Sequence, residues 1–215
     1  MSVGRRFVLD ANVFIEAHQK YYAFDICPGF WLALVRQHAA KRVFSIDKIK
    51  AELVAHGDAL NKWVTQTAGN TFFKGTADKS VADVYREMVN WVQGEQQFTP
   101  QAKAEFAAVA DGWVVAYAKA NGLVVVTHEE FAPDVQKKVP IPNVCLEFDV
   151  EYCNTFEMLR ELGERFILKK RQRSKCANLG RSIEELPILA MKGVNSFNEH
   201  PRFSIADAPD SRIDW

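Results

Sequence analysis

The sequence lacks an excess of charge of either sign, because 27 lysines and arginines balance 27 aspartates and glutamates among its 215 residues. A protein that coats duplex nucleic acid by electrostatic attraction alone needs a basic face, so this balance argues against that class. The balance does not exclude an enzyme that acts on nucleic acid, because basic residues nearby can offset an acidic active site.

Paired cysteines and long apolar runs are also missing. The four cysteines show neither a C-x-x-C pair nor a histidine at zinc-ligand spacing, which predicts unpaired thiols. No apolar run approaches the ~18 residues of a membrane span. Asp10 and Glu16 interrupt the first apolar stretch, so it does not resemble a signal peptide. We therefore expect a soluble, cytoplasmic protein without a membrane partner; its cysteines are Cys27, Cys145, Cys153 and Cys176.

Apolar runs with strand character alternate with longer segments of helical periodicity. This alternation predicts an α/β domain with a mainly parallel sheet. The run "LVVVT" is apolar at four successive positions, which is typical of a strand covered on both faces. The predicted strands are Phe7–Leu9, Val43–Ile46, Leu123–Thr127 and Val144–Phe148.

Three helices are clearly marked in the sequence. The first covers about Gln101 to Asn121, with Thr99 as N-cap, Pro100 in the first turn and Gly122 after the last turn. The others cover about Asp47 to His56 and Asn154 to Phe166.

The chain divides into a domain of residues 1–170 and a tail of residues 171–215. Within the domain, residues 57–94 read as a helical insertion on one side of the sheet, with "TAGNTFFKGTADKS" as a loop. The run "KKRQRSK" at Lys169–Lys175 holds five basic residues in seven, and a short helix is predicted around Ser182–Met191. The basic run is typical of a solvated linker, and contact with RNA phosphates is the alternative.

Several acidic residues stand where apolar residues are expected. Asp10 ends the first strand, and Asp111 is predicted to lie in mid-helix among apolar neighbours in "EFAAVADGWVVAYA". A carboxylate buried there must be neutral, paired with a lysine or arginine, or bound to a cation. Glu129 and Glu130 follow the "LVVVT" strand, at the sheet edge where open α/β folds bind ligands.

Carboxylates that gather without matching cations raise each other's pKa or recruit a divalent metal ion. Oxygen ligands favour Mg²⁺ or Mn²⁺, which can activate water and stabilise the leaving oxygen of a phosphodiester. Glu52, in the helix after the second strand, would join Asp10, Asp111 and Glu129. Asn12 can orient Asp10 by a hydrogen bond without adding charge.

Four motifs, in order along the chain, resemble those of PIN-domain ribonucleases. They are Asp10 with Asn12 after the first strand, Glu52 in "AEL", Asp111 in "ADGWVVAYA", and Thr127 with Glu129 in "VVVTHEEF". The stretches "FVLDANVFI", "FSIDKIKAEL" and "VPIPNVC" are similar to an uncharacterised PIN-like family related to the VapC toxins. The resemblance covers about residues 5–168 and none of the tail.

The resemblance implies a three-layer α/β/α fold with a five-stranded parallel sheet, and an endoribonuclease that uses one or two Mg²⁺ or Mn²⁺ ions. It implies that Asp10, Glu52, Asp111 and Glu129 hold the metal, directly or through water. Asn12 and Thr127 would orient these ligands. It also implies a toxin silenced by a cognate antitoxin, and a possible homodimer.

The usual fourth motif is T-x-D, and here glutamate replaces the aspartate. The longer side chain moves the carboxylate by about a bond length, which matters because Mg²⁺ demands nearly octahedral geometry. Glu130 is therefore an alternative to Glu129 at the fourth acidic position. His128, between Thr127 and Glu129, either donates to a phosphate or has a structural role.

Three other functions fit parts of the pattern. A catalytically silent PIN-like module would bind RNA or a protein without cutting, and a DNA or flap nuclease would use the same acids. A phosphatase of the haloacid-dehalogenase type requires D-x-D-x-T, which "DANVF" does not match because Asn12 replaces the second acid. Four tryptophans, which serve either as core or as base-stacking platforms, are Trp31, Trp63, Trp91 and Trp113.

Overall fold

Five short strands form a single sheet in a computed structural model that describes residues 4–55, 59–69 and 71–167. All neighbouring strands are parallel, and their order is β3-β2-β1-β4-β5. The strands are β1 Phe7–Leu9, β2 Val43–Ile46, β3 Phe73–Lys74, β4 Val124–Val126 and β5 Tyr152–Cys153.

The two central strands, β1 and β4, consist only of apolar residues, and every one of them is buried. Phe7 pairs with Val124 and Leu9 pairs with Val126, so both strands end at the same edge of the sheet. The chain leaves β1 toward β2 on one side, and β4 lies on the other side. The strand order therefore reverses between β1 and β4, which is where open α/β sheets leave a crevice for a ligand.

Helices flank the sheet, so the predicted three-layer α/β architecture is confirmed. The helix α7 packs on β1, β2 and β4, while α2 packs on β2. The helices are α1 Ala11–Glu16, which continues into a π-helical turn at Ala17–Tyr21, α2 Pro28–Ala39, α3 Asp47–Ala55, α4 Ala59–Gln66, α5 Lys79–Gly94, α6 Pro100–Ala108, α7 Asp111–Asn121, α8 Ile141–Glu147 and α9 Thr155–Glu161.

Two predictions about the strands are wrong. Residues 144–148 are not a strand, because Val144 and Cys145 lie inside α8 with their side chains buried. A short apolar run fits a buried helix as well as a strand, and the Pro140–Pro142 segment starts a helix here. Residues 57–94 are not only a helical insertion, since β3 within them pairs with β2 and extends the sheet.

The helix predicted from Gln101 to Asn121 is in fact two helices. The backbone of Val109 is extended, with φ −100° and ψ 174°, and this residue ends α6. Asp111 therefore opens α7 instead of lying in mid-helix. The predicted ends are confirmed, because the Thr99 hydroxyl accepts from the Ala102 N–H and Gly122 adopts a left-handed conformation with φ 60°.

Gly112 allows close packing next to this bend. A Cβ atom at this position would lie 2.8 Å from Phe106 Cζ and 2.9 Å from Tyr85 Cε2, which is closer than van der Waals contact allows. Only glycine lets the first turn of α7 approach both rings. The bend and the glycine together bring α5, α6 and α7 into one packed unit.

We predict that Gly112→Ala lowers the free energy of unfolding by about 1–3 kcal/mol, the usual cost of overpacking a well-filled core. Urea titration followed by circular dichroism measures the change. Gly94→Ala is the matched control, because a Cβ atom there meets nothing within 4 Å. Equal stability of the two variants would contradict this description of the packing at Gly112.

The remaining predictions have mixed outcomes. The α3 helix begins at the predicted Asp47, while α9 is shorter than predicted because Gly163, with φ 70°, follows its end. The three cysteines within the described residues are unpaired, as expected. No helix in the described part of the chain has the length and apolar character to cross a membrane. The tail of residues 171–215, the short helix predicted in it, the basic run and Cys176 lie outside the described residues.

Candidate functional site

The reversal of strand order places Asp10 beside Thr127 at the edge of the sheet. The Asp10 N–H donates to the Val126 carbonyl at 3.0 Å, which continues the pairing of β1 with β4. One carboxylate oxygen of Asp10 accepts from the Ala11 N–H at 2.7 Å, and the other accepts from the Thr127 hydroxyl at 3.1 Å. Asp10 is only 1% exposed, so these two bonds hold its carboxylate in a fixed orientation.

An open cleft of about 700 Å³ lies outside this edge of the sheet. The cleft brings together all four acids predicted from the sequence, although they come from four different parts of the fold. Five acidic side chains and two basic side chains line it: Asp10, Glu52, Glu105, Asp111 and Glu129, with Lys48 and Lys138.

The two aspartates of the cleft have strongly perturbed acidities. Burial, followed by the negative charges of Asp111 and Glu129, raises the pKa of Asp10 to about 7. Burial and the charge of Glu129, with smaller effects of Glu52 and Glu105, raise the pKa of Asp111 to about 6, although Lys138 acts in the opposite direction. Two carboxyl groups that resist ionisation next to each other gain most from a cation placed between them.

Glu129 faces the cleft but already has two partners. One of its carboxylate oxygens accepts from the Ile141 N–H at 2.8 Å, and the other forms an ion pair with Lys138. Burial acts to lower the pKa of Lys138, but the hydrogen bond and charge of Glu129, with the charges of Asp111 and Asp10, outweigh it and raise that pKa. Glu130 is exposed and does not line this cleft, so the geometry favours Glu129 at the fourth position.

Asn12 lines the cleft, but among the described residues it makes no hydrogen bond to Asp10. Thr127, the other residue predicted to orient the ligands, does contact Asp10, and its oxygen also accepts from the Glu129 N–H at 3.2 Å. The Thr127 hydroxyl thus contacts both Asp10, which follows β1, and Glu129, which comes after β4. Glu52 lies on α3 and is exposed to the cleft.

Both ring nitrogens of His128 contact other side chains. One of its ring nitrogens lies 2.5 Å from a Glu16 carboxylate oxygen, and the other lies 2.6 Å from the Thr155 hydroxyl. These contacts connect the end of β4 with α1 and α9. Both ring nitrogens are therefore occupied, which favours the structural role over donation to a phosphate.

The sequence reasoning missed three residues of the cleft. Lys48 stands four residues before Glu52 on the same helix face, a spacing that could have been noticed. Glu105 was hidden by the prediction of one continuous helix, which would have turned it away from Asp111. No local pattern identifies Lys138, because it reaches the cleft from the connection between β4 and α8.

The donor atoms of the cleft fit a hard divalent cation. They are carboxylate oxygens, and the raised pKa values of Asp10 and Asp111 indicate that positive charge is in deficit there. Within the described residues, no three histidine, cysteine, aspartate or glutamate side chains already stand close enough together to hold an ion. The Lys138 ammonium, paired with Glu129, supplies part of the missing positive charge.

The chain matches one family model and resembles a solved structure distantly. A family model described as "Domain of unknown function (DUF4411)" matches residues 7–166. No protein with a curated description matches significantly. Among solved structures, the crystal structure of FitAcB from Neisseria gonorrhoeae aligns at 16% sequence identity with a TM-score of 0.45, over 70% of this chain and 98% of that chain. A likeness this distant carries no argument about activity.

Proposed function

We propose that this chain, which belongs to the family described as Domain of unknown function (DUF4411), is a metal-dependent endoribonuclease that hydrolyses RNA phosphodiesters. One observation carries the proposal. Asp10 and Asp111 face the same cleft, and each has a raised pKa to which neighbouring carboxylates contribute. A structural acid would be paired with a cation of its own, whereas these two aspartates share one lysine with Glu129.

In this proposal Asp10 and Asp111 hold Mg²⁺ or Mn²⁺, with Glu52 and Glu129 as the remaining carboxylates of the site. A bound ion of this kind would polarise the phosphate and make it easier to remove a proton from the attacking water. The Thr127 hydroxyl and the Ala11 N–H keep the Asp10 carboxylate in one orientation. Pre-oriented ligands reduce the reorganisation that the reaction requires.

Lys138 has two roles in the proposal. Its ion pair positions Glu129 at the rim of the cleft while the Ile141 N–H holds the other oxygen. Its ammonium also offers a positive charge to the phosphate of a bound strand. Lys48 adds a second cation on the α3 side of the cleft. Two lysines beside a group of acids suit a substrate that carries negative charge but must reach a metal.

The test is a cleavage assay on single-stranded RNA with Mg²⁺ or Mn²⁺. We expect cleavage that EDTA abolishes and that the Asp10→Asn variant, purified in the same way, does not perform. Cleavage that persists in either case would come from a contaminant or another site, and would refute the proposal. Single-stranded DNA and a 5′-flap substrate, run side by side, decide between RNA and DNA; preferential cleavage of either DNA would replace RNA as the substrate.

The resemblance to VapC toxins extends the proposal to a toxin whose cognate antitoxin occupies the cleft. This extension is based on sequence motifs alone. If the chain is a toxin, we expect growth to stop when the wild-type chain is expressed in a bacterial host, and to continue when the Asp10→Asn variant is expressed. Arrest of growth by both variants to the same extent would refute the toxin role without touching the cleavage assay.

A further inference from the structure

Trp113 forms a wall of the acidic cleft. It stands two residues after Asp111 on α7, and its half-buried side chain lines the cavity. Trp31 and Trp63 differ from it, because they are 3% and 6% exposed and lie within the core. A large flat ring at the edge of a site for phosphodiesters can contact a nucleobase as well as fill space.

Tyr85 stacks on one face of the Trp113 indole ring. The two rings stack with their centroids 3.8 Å apart and their planes 15° from parallel. The Tyr85 hydroxyl donates to the Ala107 carbonyl at 3.0 Å, which fixes the phenol ring between α5 and the end of α6. Gly112, next to Trp113, leaves the space that the Tyr85 ring occupies. The indole plane is therefore set before any ligand arrives.

An exposed cation lies over the indole ring. The Lys48 ammonium lies 5.0 Å from the centre of the Trp113 ring, and Lys48 is exposed on α3. An exposed cation–π contact is worth only about 0.5–1 kcal/mol, so a ligand displaces it at little cost. A displaced ammonium remains beside the cleft, where it can bind the phosphate of the same nucleotide.

From this arrangement we propose that Trp113, backed by Tyr85, is a stacking platform for one unpaired nucleobase, with Lys48 as the contact to a flanking phosphate. The inference deepens the proposed function, on which it rests, by naming single-stranded nucleic acid as the substrate class. Paired bases in a duplex have both faces covered by their neighbours, so they cannot stack on this ring. The base that binds Trp113 is next to the phosphate at Asp10 and Asp111.

The experiment measures the binding of fluorescently labelled single-stranded RNA by anisotropy, with Mg²⁺ present and in the Asp10→Asn background so that the strand stays intact. We expect Trp113→Leu to weaken binding between about 5- and 150-fold, since stacking contributes about 1–3 kcal/mol per base. Trp113→Phe should restore part of the affinity. Trp91→Phe is the matched control, because Trp91 packs on Phe98 and Phe148 away from the cleft.

An abasic scan tests the contact itself. Removing the base that stacks on Trp113 should weaken binding to the parent protein, which retains Trp113. The same removal should not weaken binding to Trp113→Leu any further, because the two changes remove the same interaction. Far-ultraviolet circular dichroism verifies that each variant is folded. An abasic effect of equal size in both proteins would overturn the inference. So would an affinity of Trp113→Leu for single-stranded RNA equal to that of its parent. Equal affinity for duplex and single-stranded RNA, or no binding of single strands, would also overturn it.

These outcomes are distinguishable from a failure of the proposed function. If the wild-type protein cleaves RNA but Trp113→Leu binds as tightly as its parent, the platform is refuted and the nuclease remains. If Trp113-dependent binding is found but no metal supports cleavage, the platform is supported and the chain is a binding module. The second result would agree with the catalytically silent alternative that the sequence left open.

Discussion

Replacement of Asp10 by asparagine is expected to raise the free energy of unfolding of the metal-free protein by roughly 2–4 kcal/mol near pH 8. Burial and the charges of Asp111 and Glu129 raise the pKa of Asp10 from 3.8 to about 7, so ionising it costs the folded state free energy. Asparagine has almost the same shape and carries no charge. Its side chain can still accept from the Ala11 N–H and bond with Thr127.

The gain in stability depends on pH in a definite direction. Below about pH 4 the Asp10 carboxyl is protonated in both the folded and the unfolded chain, so the substitution changes little. Between about pH 4 and pH 7 the unfolded chain releases this proton while the folded chain keeps it, and wild-type stability falls. Above pH 7 the full penalty is present, and the difference between variant and wild type reaches its maximum.

Urea titrations at several pH values in EDTA measure this difference. Glu130→Gln is the control, because its carboxyl group is exposed and outside the cleft, and it should show no comparable pH dependence. Addition of Mg²⁺ or Mn²⁺ should stabilise the wild-type protein and reduce the advantage of Asp10→Asn. An Asp10→Asn protein that is less stable than wild type near pH 8 without metal would contradict the electrostatic description of the cleft.

Replacement of either Asp10 or Asp111 by asparagine should reduce the rate of RNA cleavage by about 10³-fold or more. Loss of a group that stabilises charge in the transition state has an effect of this size. Glu129→Gln and Thr127→Val should cost about 10- to 100-fold, the usual effect of residues that support a metal ligand. This ranking follows from the contacts. The carboxylate of Glu129 is divided between Lys138 and Ile141, whereas Asp111 faces Asp10 across the cleft.

Initial cleavage rates at saturating metal, with folding verified for each variant, measure the ranking. Glu130→Gln should retain activity within about twofold of the wild type, because its side chain does not line the cleft. More than a tenth of the wild-type rate in Asp111→Asn would remove Asp111 from the proposed site. A loss in Glu130→Gln as large as that in Glu129→Gln would show that the fourth position is misassigned.

The central strands were predictable because both of their faces are covered, which demands continuous apolar runs such as "FVL" and "VVV". The edge strands were not predictable, since β3 and β5 have only two residues each and depend on pairing with β2 and β4. The run that became α8 is ambiguous in isolation. A helix start at Pro140–Pro142, which local composition only suggests, decides its conformation.

The cleft was predictable to the extent that strand ends carry its acids. Asp10 and Glu129 follow directly from their positions after β1 and β4, and the sheet edge brings them together. Asp111 lines the cleft, but from the first position of α7 and not from the mid-helix position that was predicted, because the chain bends at Val109. The lysines were missed because only tertiary packing determines which cations face the acids.

Because Lys138 forms an ion pair with Glu129, the acidic cleft contains a tethered competitor for any cation that enters it. The two residues are nine positions apart, so the ammonium remains near the carboxylate at a fixed effective concentration, whatever the solution contains. A monovalent ion gains nothing over the tethered charge. An ion with two charges does, and because it must displace the ammonium, half-occupancy of the cleft requires a higher concentration of that ion than it would without Lys138. When such ions are scarce, the Lys138 charge offsets part of the repulsion among the carboxylates.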